Sequence, residues 1–260
     1  MVFPEPDGPT RDIGLPCSTD KFISLTIVKV PSGLLTSLVM FSTFKMQSFK
    51  IFLFIFLTIL LAVPTPVNSF ELGIQINNNI VILGDSLSAG YGVSIDESWP
   101  SLLQKRMRDE NHNISIINAG ISGDTTSGGL YRLPELLKKH NPSLVILELG
   151  GNDGLRGMSI KNVIKKNLIS MIELIQSNNS NLVLIGVELP PNYGQIYTNQ
   201  FKKMYSDLAQ TYDVALVNGS LVKMVEMNLM QADGIHPNPE GHKMIEHEVS
   251  QVVIPIIQSN

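Results

Sequence analysis

Residues 79–90 read NIVILGDSLSAG. Ile80, Val81, Ile82 and Leu83 are apolar in succession and mostly β-branched, and Gly84 ends the run. A short apolar run without alternation suits a strand covered on both faces, as strands of parallel sheets are. Similar runs recur at 114–117, 144–149, 182–187 and 214–217. Between them the apolar spacing becomes helical. The segment 100–110 follows Ser98-Trp99-Pro100, a helix start with proline in its first turn. The segment 125–140 carries Leu130, Leu133, Leu136 and Leu137 on one face. Segments 159–177 and 195–211 follow, and 242–257 is expected to stop or kink near Pro255. Strand and helix alternating at this spacing predict one α/β domain with a parallel sheet and right-handed crossovers.

The chain has 260 residues, of which 43% are hydrophobic and 16% charged, enough apolar material to exclude wholesale disorder. A net charge of −4 offers no electrostatic footprint for nucleic acid. The single cysteine, Cys17, can form neither an internal disulfide nor a thiolate zinc site. Residues 46–69 read MQSFKIFLFIFLTILLAVPTPVNS, a basic start, an apolar stretch at 51–63 broken only by Thr58, and a small-residue end. That is the layout of a secretory signal peptide, and the apolar stretch is short of the roughly 20 residues of a bilayer span. The rival reading is an uncleaved anchor extended by residues 34–44. No cysteine follows for lipid attachment. Residues 1–45 are expected to be a non-native or disordered extension, with the true start at Met46 or Met40. Residues 70–260 form the expected mature domain, cysteine-free, with 14 basic and 19 acidic residues and hence a charge of −5. Periplasmic or secreted localisation without stable membrane insertion follows from this division.

Ligands of open parallel sheets bind beyond the carboxyl ends of the strands. Four polar, glycine-bearing loops fall there: 84–88, 118–124, 150–154, and 233–237 after the last strand and a further helix. Ser86 reads either as a helix cap or as a nucleophile beside backbone N–H groups. Asp85 alone reads as a turn or cap residue. Asp233, three residues before His236, can orient and charge-stabilise the imidazole, unless the pair is an ordinary surface turn. Asn152 is a turn residue or an amide donor, and Gly123 can offer its backbone N–H to the same point. His112, His140, His242 and His247 fall in or at the ends of helices and are expected to face solvent. A phosphate loop at 83–90 lacks both the Walker lysine and the G-x-G-x-x-G spacing, and Asp85 would repel phosphate. Together the four loops supply nucleophile, base, orienting acid and donors, the parts needed for acyl transfer.

The stretches ILGDSLSAGYG, ISGDTTSGGLYRLPELL, LELGGNDGLRG, LPPNYG and DGIHPNPEGH resemble the sequence blocks of the GDSL, or SGNH, hydrolases. The resemblance covers about residues 79–250 and is nearest the periplasmic thioesterase, lysophospholipase and arylesterase branch. It implies a flavodoxin-like three-layer α/β/α sandwich. It also implies Ser86 as nucleophile, His236 as base and then acid, and Asp233 as its partner. The oxyanion donors implied are the Ser86 and Gly123 N–H groups and the Asn152 side chain. No metal or cofactor is implied. Segments 154–158 and 189–194 could wall an acyl pocket through Leu155, Met158, Pro190 and Tyr193, with Gly154 and Gly157 letting the first act as a lid. Alternatively both are plain solvent loops. The expected partner is an acyl ester or thioester, small or lipid, handled by a monomer. The competing functions are a carbohydrate acetyl-esterase and a non-catalytic binding domain on the same scaffold.

Overall fold

The computed structural model describes residues 78–259. The extension and signal segment expected at 1–69 lie outside the described residues, as does the start of the mature domain. Five parallel strands form the sheet: β1 Asn79–Gly84, β2 Ser115–Asn118, β3 Leu144–Glu148, β4 Asn181–Ile185 and β5 Ala215–Val217. Their order is β2-β1-β3-β4-β5. In register, Ile80 pairs with Ile116 on one side of β1 and with Leu144 on the other, and Val183 joins Ile146 to Ala215. The order reverses between β1 and β3, so the loops leaving these two strands flank the crevice where such sheets bind ligands.

The helices are α1 Ser86–Ala89, α2 Trp99–Asp109, α3 Thr126–His140, α4 Gly151–Leu155, α5 Lys165–Ser177, α6 Gln195–Tyr212, α7 Leu221–Glu226 and α8 Pro239–Gln258. Strand residues alternate between two cores, because successive side chains point to opposite faces. Ile80, Ile82, Ile146, Val183 and Ile185 pack with Trp99, Leu103 and Met107 of α2 and with Val249 and Val253 of α8. Leu83, Val145, Leu147, Leu182 and Leu184 pack with α3, α5 and α6 through Leu133, Met171, Phe201 and Tyr205. The result is a helix layer on each face of the sheet. Arg106 of α2 clamps Glu246 of α8 through Nε and one terminal nitrogen, at 2.5 and 3.0 Å.

Three expectations are corrected. The apolar run 182–187 leaves the ladder after Ile185, and Val187 turns towards a cavity instead of pairing. The C-terminal helix begins at Pro239, where the Asn238 side chain accepts the Gly241 N–H at 3.0 Å, and it passes through Pro255 to Gln258. Pro255 stands in the last turn, so its missing N–H costs the helix a single bond near a frayed end. His242 does not face solvent. It is 1% exposed and its Nδ1 accepts the Trp99 N–H at 3.3 Å. Burial, with a smaller contribution from the charge of His236, holds its pKa down to about 4, so the ring is neutral at pH 7.

Candidate active site

β1 delivers its carboxyl end into a single helical turn. At Gly84 a Cβ would fall 2.2 Å from Ser88 Oγ and 2.7 Å from Glu148 Oε2, so only glycine lets this turn close on β3. Asp85 caps α1 by accepting the Leu87 N–H at 3.0 Å, and Gly90 at φ +73° ends the helix. Ser86 is the first residue of that turn. Its N–H has no acceptor among the described residues, as expected at a helix start.

Ser86 Oγ lies 2.9 Å from His236 Nε2, and His236 Nδ1 lies 2.7 Å from Asp233 Oδ2. The other carboxylate oxygen of Asp233 accepts the N–H groups of Ile235 and His236 at 2.9 and 3.0 Å. This turn runs through Gly234 at φ +67°, a conformation that suits glycine. Burial alone would raise the Asp233 pKa. The hydrogen bonds from the His236 backbone and ring and from Ile235 outweigh it and bring the value to about 2. An ionised Asp233 holds a proton on Nδ1, which leaves the Nε2 lone pair free for the Ser86 hydroxyl. The Tyr91 ring covers the imidazole, with centroids 4.5 Å apart. Gln231 ties the two segments together: its backbone donates to His236 O at 2.7 Å and its side chain donates to Tyr91 O at 2.7 Å and Pro237 O at 2.8 Å.

The loops after β2 and β3 complete the rim. Gly123 has φ +81° and open space where a Cβ would sit, and its N–H has no acceptor among the described residues. Its carbonyl accepts from Arg156 at 3.2 Å. Asn152 Nδ2 donates to Asp85 Oδ2 at 3.0 Å. Asp153, fully buried, accepts the Thr126 hydroxyl at 2.6 Å and the Thr126 N–H at 2.9 Å, which locks the Gly123 loop to the Asn152 loop. Arg132 reaches back from α3 to Asp124 at 2.8 Å, to Ala119 O at 2.5 Å and to Gly84 O at 3.1 Å. Behind the serine turn, Glu148 Oε2 accepts the Asp85 N–H at 3.1 Å and the Ser88 hydroxyl at 2.8 Å, whereas Glu148 Oε1 is buried without a partner among the described residues. Burial, then the charge of Asp85, raises the Glu148 pKa well above 4.5. Burial likewise lifts Asp85 to about 6. Sequence reasoning passed over Glu148, Asp153 and Arg132. Glu148 did leave a signal, being the one charge at the end of the apolar run Leu144–Glu148.

A cavity of about 280 Å³ opens beside Ser86 and His236. Its apolar wall comes from Ile185, Val187, Leu189, Leu221, Met224 and Ile245. Of the four residues expected to wall an acyl pocket, Leu155 and Pro190 line this cavity. Met158 packs instead against the core under α3, α5 and α6. Tyr193 stands in the exposed turn Pro191–Tyr193, 38% accessible. A Cβ on Gly154 would meet Leu189 at 2.7 Å and Phe201 at 2.9 Å, so this glycine permits close packing, whereas Gly157 is open at φ +65°. Leu189, the first residue of the segment 189–194 read as a possible wall, lines the cavity, while Ile185, Val187 and α7, which had no such role in the sequence reading, supply most of the rest.

A five-stranded parallel sheet of this order, with a serine at the carboxyl end of β1 facing an Asp–His pair, defines the class of α/β ester hydrolases. The chain belongs to the GDSL-like lipase/acylhydrolase family, which it matches over residues 82–244. It is 44% identical over 181 residues to the arylesterase of Vibrio mimicus, spanning 69% of this chain and 90% of the relative. It is 39% identical over 181 residues to the thioesterase 1/protease 1/lysophospholipase L1 of Escherichia coli K12, spanning 69% of this chain and 85% of the relative. Among solved structures, the psychrotrophic esterase EstA from Pseudoalteromonas sp., inhibited by monoethylphosphonate, superposes with a TM-score of 0.65. That match has 36% identity over 70% of this chain and 99% of EstA.

Proposed function

We propose that this protein hydrolyses carboxylic esters and thioesters of acyl chains through an acyl-serine on Ser86. The observation that carries the reading is the relay Ser86–His236–Asp233, at 2.9 and 2.7 Å, opening onto an apolar cavity. His236 Nε2 takes the hydroxyl proton as Ser86 Oγ forms a bond to the substrate carbonyl carbon. The carbonyl oxygen becomes an oxyanion that the Ser86 and Gly123 N–H groups and the Asn152 amide stabilise. Removing one such donor typically costs about 10²–10³ in turnover. His236 then gives its proton to the departing alcohol or thiol as that bond breaks. Water, deprotonated by the same nitrogen, cleaves the acyl-serine and restores the hydroxyl. Asp233 stays ionised throughout, consistent with its low pKa.

Leu155 and Pro190, with the walls of segment 185–189 and α7, would receive the acyl chain. A wall of this composition favours an acyl chain over a bare acetyl group on a carbohydrate, because each buried methylene adds about 0.8 kcal/mol of binding. The test is a series of p-nitrophenyl esters of increasing chain length, together with acyl-CoA thioesters. kcat/KM rising from acetate to medium chains supports the proposal, and a maximum at acetate refutes it. Export across the inner membrane rests on the layout of residues 46–69. It is tested by N-terminal sequencing of the protein recovered from the periplasmic or culture fraction. The monomeric state is tested by light scattering.

A further inference from the structure

We infer that Asp85 is a positioning residue that decides which end of the Asn152 amide faces the reacting carbonyl. The inference rests on the proposed role of Asn152 as an oxyanion donor. Asp85 is 3% exposed and each of its oxygens has one partner: Oδ1 accepts the Leu87 N–H and Oδ2 accepts Asn152 Nδ2, both at 3.0 Å. An ionised carboxylate only accepts. The Asn152 amide must therefore turn its NH₂ towards Asp85, since the flipped amide would set oxygen against oxygen in a buried place. One Nδ2 hydrogen is used by Asp85 and the second remains for the substrate. The two backbones are also held close. A Cβ on Gly151 would lie 3.3 Å from Asp85 Oδ2, and the Asp85 N–H is anchored on Glu148 Oε2 at 3.1 Å. Besides capping α1, Asp85 acts on the reaction in this scheme through Asn152.

Asp85→Asn tests this, because it preserves shape and inverts one polarity. The Leu87 N–H keeps the new amide oxygen, so the new NH₂ faces Asn152. Asn152 then turns its carbonyl towards residue 85 and presents a lone pair where it offered a hydrogen. kcat on a p-nitrophenyl ester should fall about 10²–10³-fold, the loss of one oxyanion donor, with KM nearly unchanged. Asn152→Ala should fall by a similar factor. In the Asn152→Ala background, Asp85→Asn should then cost less than about threefold, because its target is already gone. Asp85→Ser, which keeps a helix-capping hydroxyl but is too short to reach Asn152, guards against a folding artefact and should show a smaller kcat loss with the same non-additivity. A merely structural Asp85 would instead lower the melting temperature and multiply with Asn152→Ala. If Asn152→Ala is impaired and Asp85→Asn is not, or if their losses multiply, the inference fails while the oxyanion reading stands. If Asn152→Ala keeps wild-type kcat, the oxyanion reading fails and takes the inference with it.

Discussion

Replacing Glu148 with glutamine should change how stability depends on pH rather than disrupt the fold. Glu148 is 1% exposed, and one of its oxygens accepts the Asp85 N–H at 3.1 Å and the Ser88 hydroxyl at 2.8 Å. The other oxygen has no partner among the described residues, which suits a protonated acid far better than an ionised one. Burial and the Asp85 charge raise its pKa well above 4.5, whereas the unfolded chain loses that proton near 4.5. Above pH 4.5 the folded state thus binds one more proton than the unfolded state, and stability falls as pH rises. The slope is about 1.4 kcal/mol per pH unit for as long as the proton is retained. Asp85, lifted from 3.8 to about 6, adds a slope of the same sign, but that contribution is spent by about pH 6. Asp85 is present in both proteins, so the difference between variant and wild type reports Glu148. Glutamine keeps the accepting oxygen, puts its NH₂ where the acid hydrogen lies, and cannot titrate. Urea unfolding followed by circular dichroism, stepped upward in pH from just above 4.5, should show the variant gaining on wild type by up to about 1.4 kcal/mol per pH unit. Glu148→Ala should lose stability at every pH, since each orphaned donor costs about 1–3 kcal/mol. A glutamine variant less stable than wild type by an amount that does not vary with pH would refute the neutral acid.

Asp233→Asn should keep the fold and lower kcat by up to about 10⁴-fold with little change in KM, because the amide no longer enforces the Nδ1–H tautomer of His236. A loss under tenfold in steady-state kinetics would contradict that role. Met224→Trp fills part of the cavity wall. It should lower kcat/KM for long-chain p-nitrophenyl esters by about tenfold or more while sparing the acetate, and equal losses at all chain lengths would contradict the acyl path.

The sheet was legible because β1, β3 and β4 are buried on both faces, so their sequences are almost purely apolar. The longer helices were legible by their spacing. The turns of α1, α4 and α7 were not, being four to six residues long and therefore shorter than the period that would betray them. Ser86, Asp233 and His236 each read alone as a cap or turn residue and stood out only in combination with the other polar loops and through the matching sequence blocks. The acids that support them did not. Asp153 and Glu148 act on backbone and hydroxyl groups far away in sequence, at separations of 27 and up to 63 residues, and no local pattern reveals such a bond. The cavity wall escaped for a similar reason. Val187 continues the apolar run of a strand, and only the end of the ladder at Ile185 turns it into a pocket residue. His242 read as solvent-facing because Trp99, its partner, lies 143 residues away.

The central claim is that Ser86 is the group that becomes acylated. Treatment of the intact protein with a fluorophosphonate, followed by digestion and mass spectrometry, tests it directly. The account predicts one adduct per chain, on the peptide carrying Ser86, abolished by Ser86→Ala in a protein of unchanged circular dichroism. Labelling at another serine, or undiminished labelling of the Ser86→Ala protein, would contradict it.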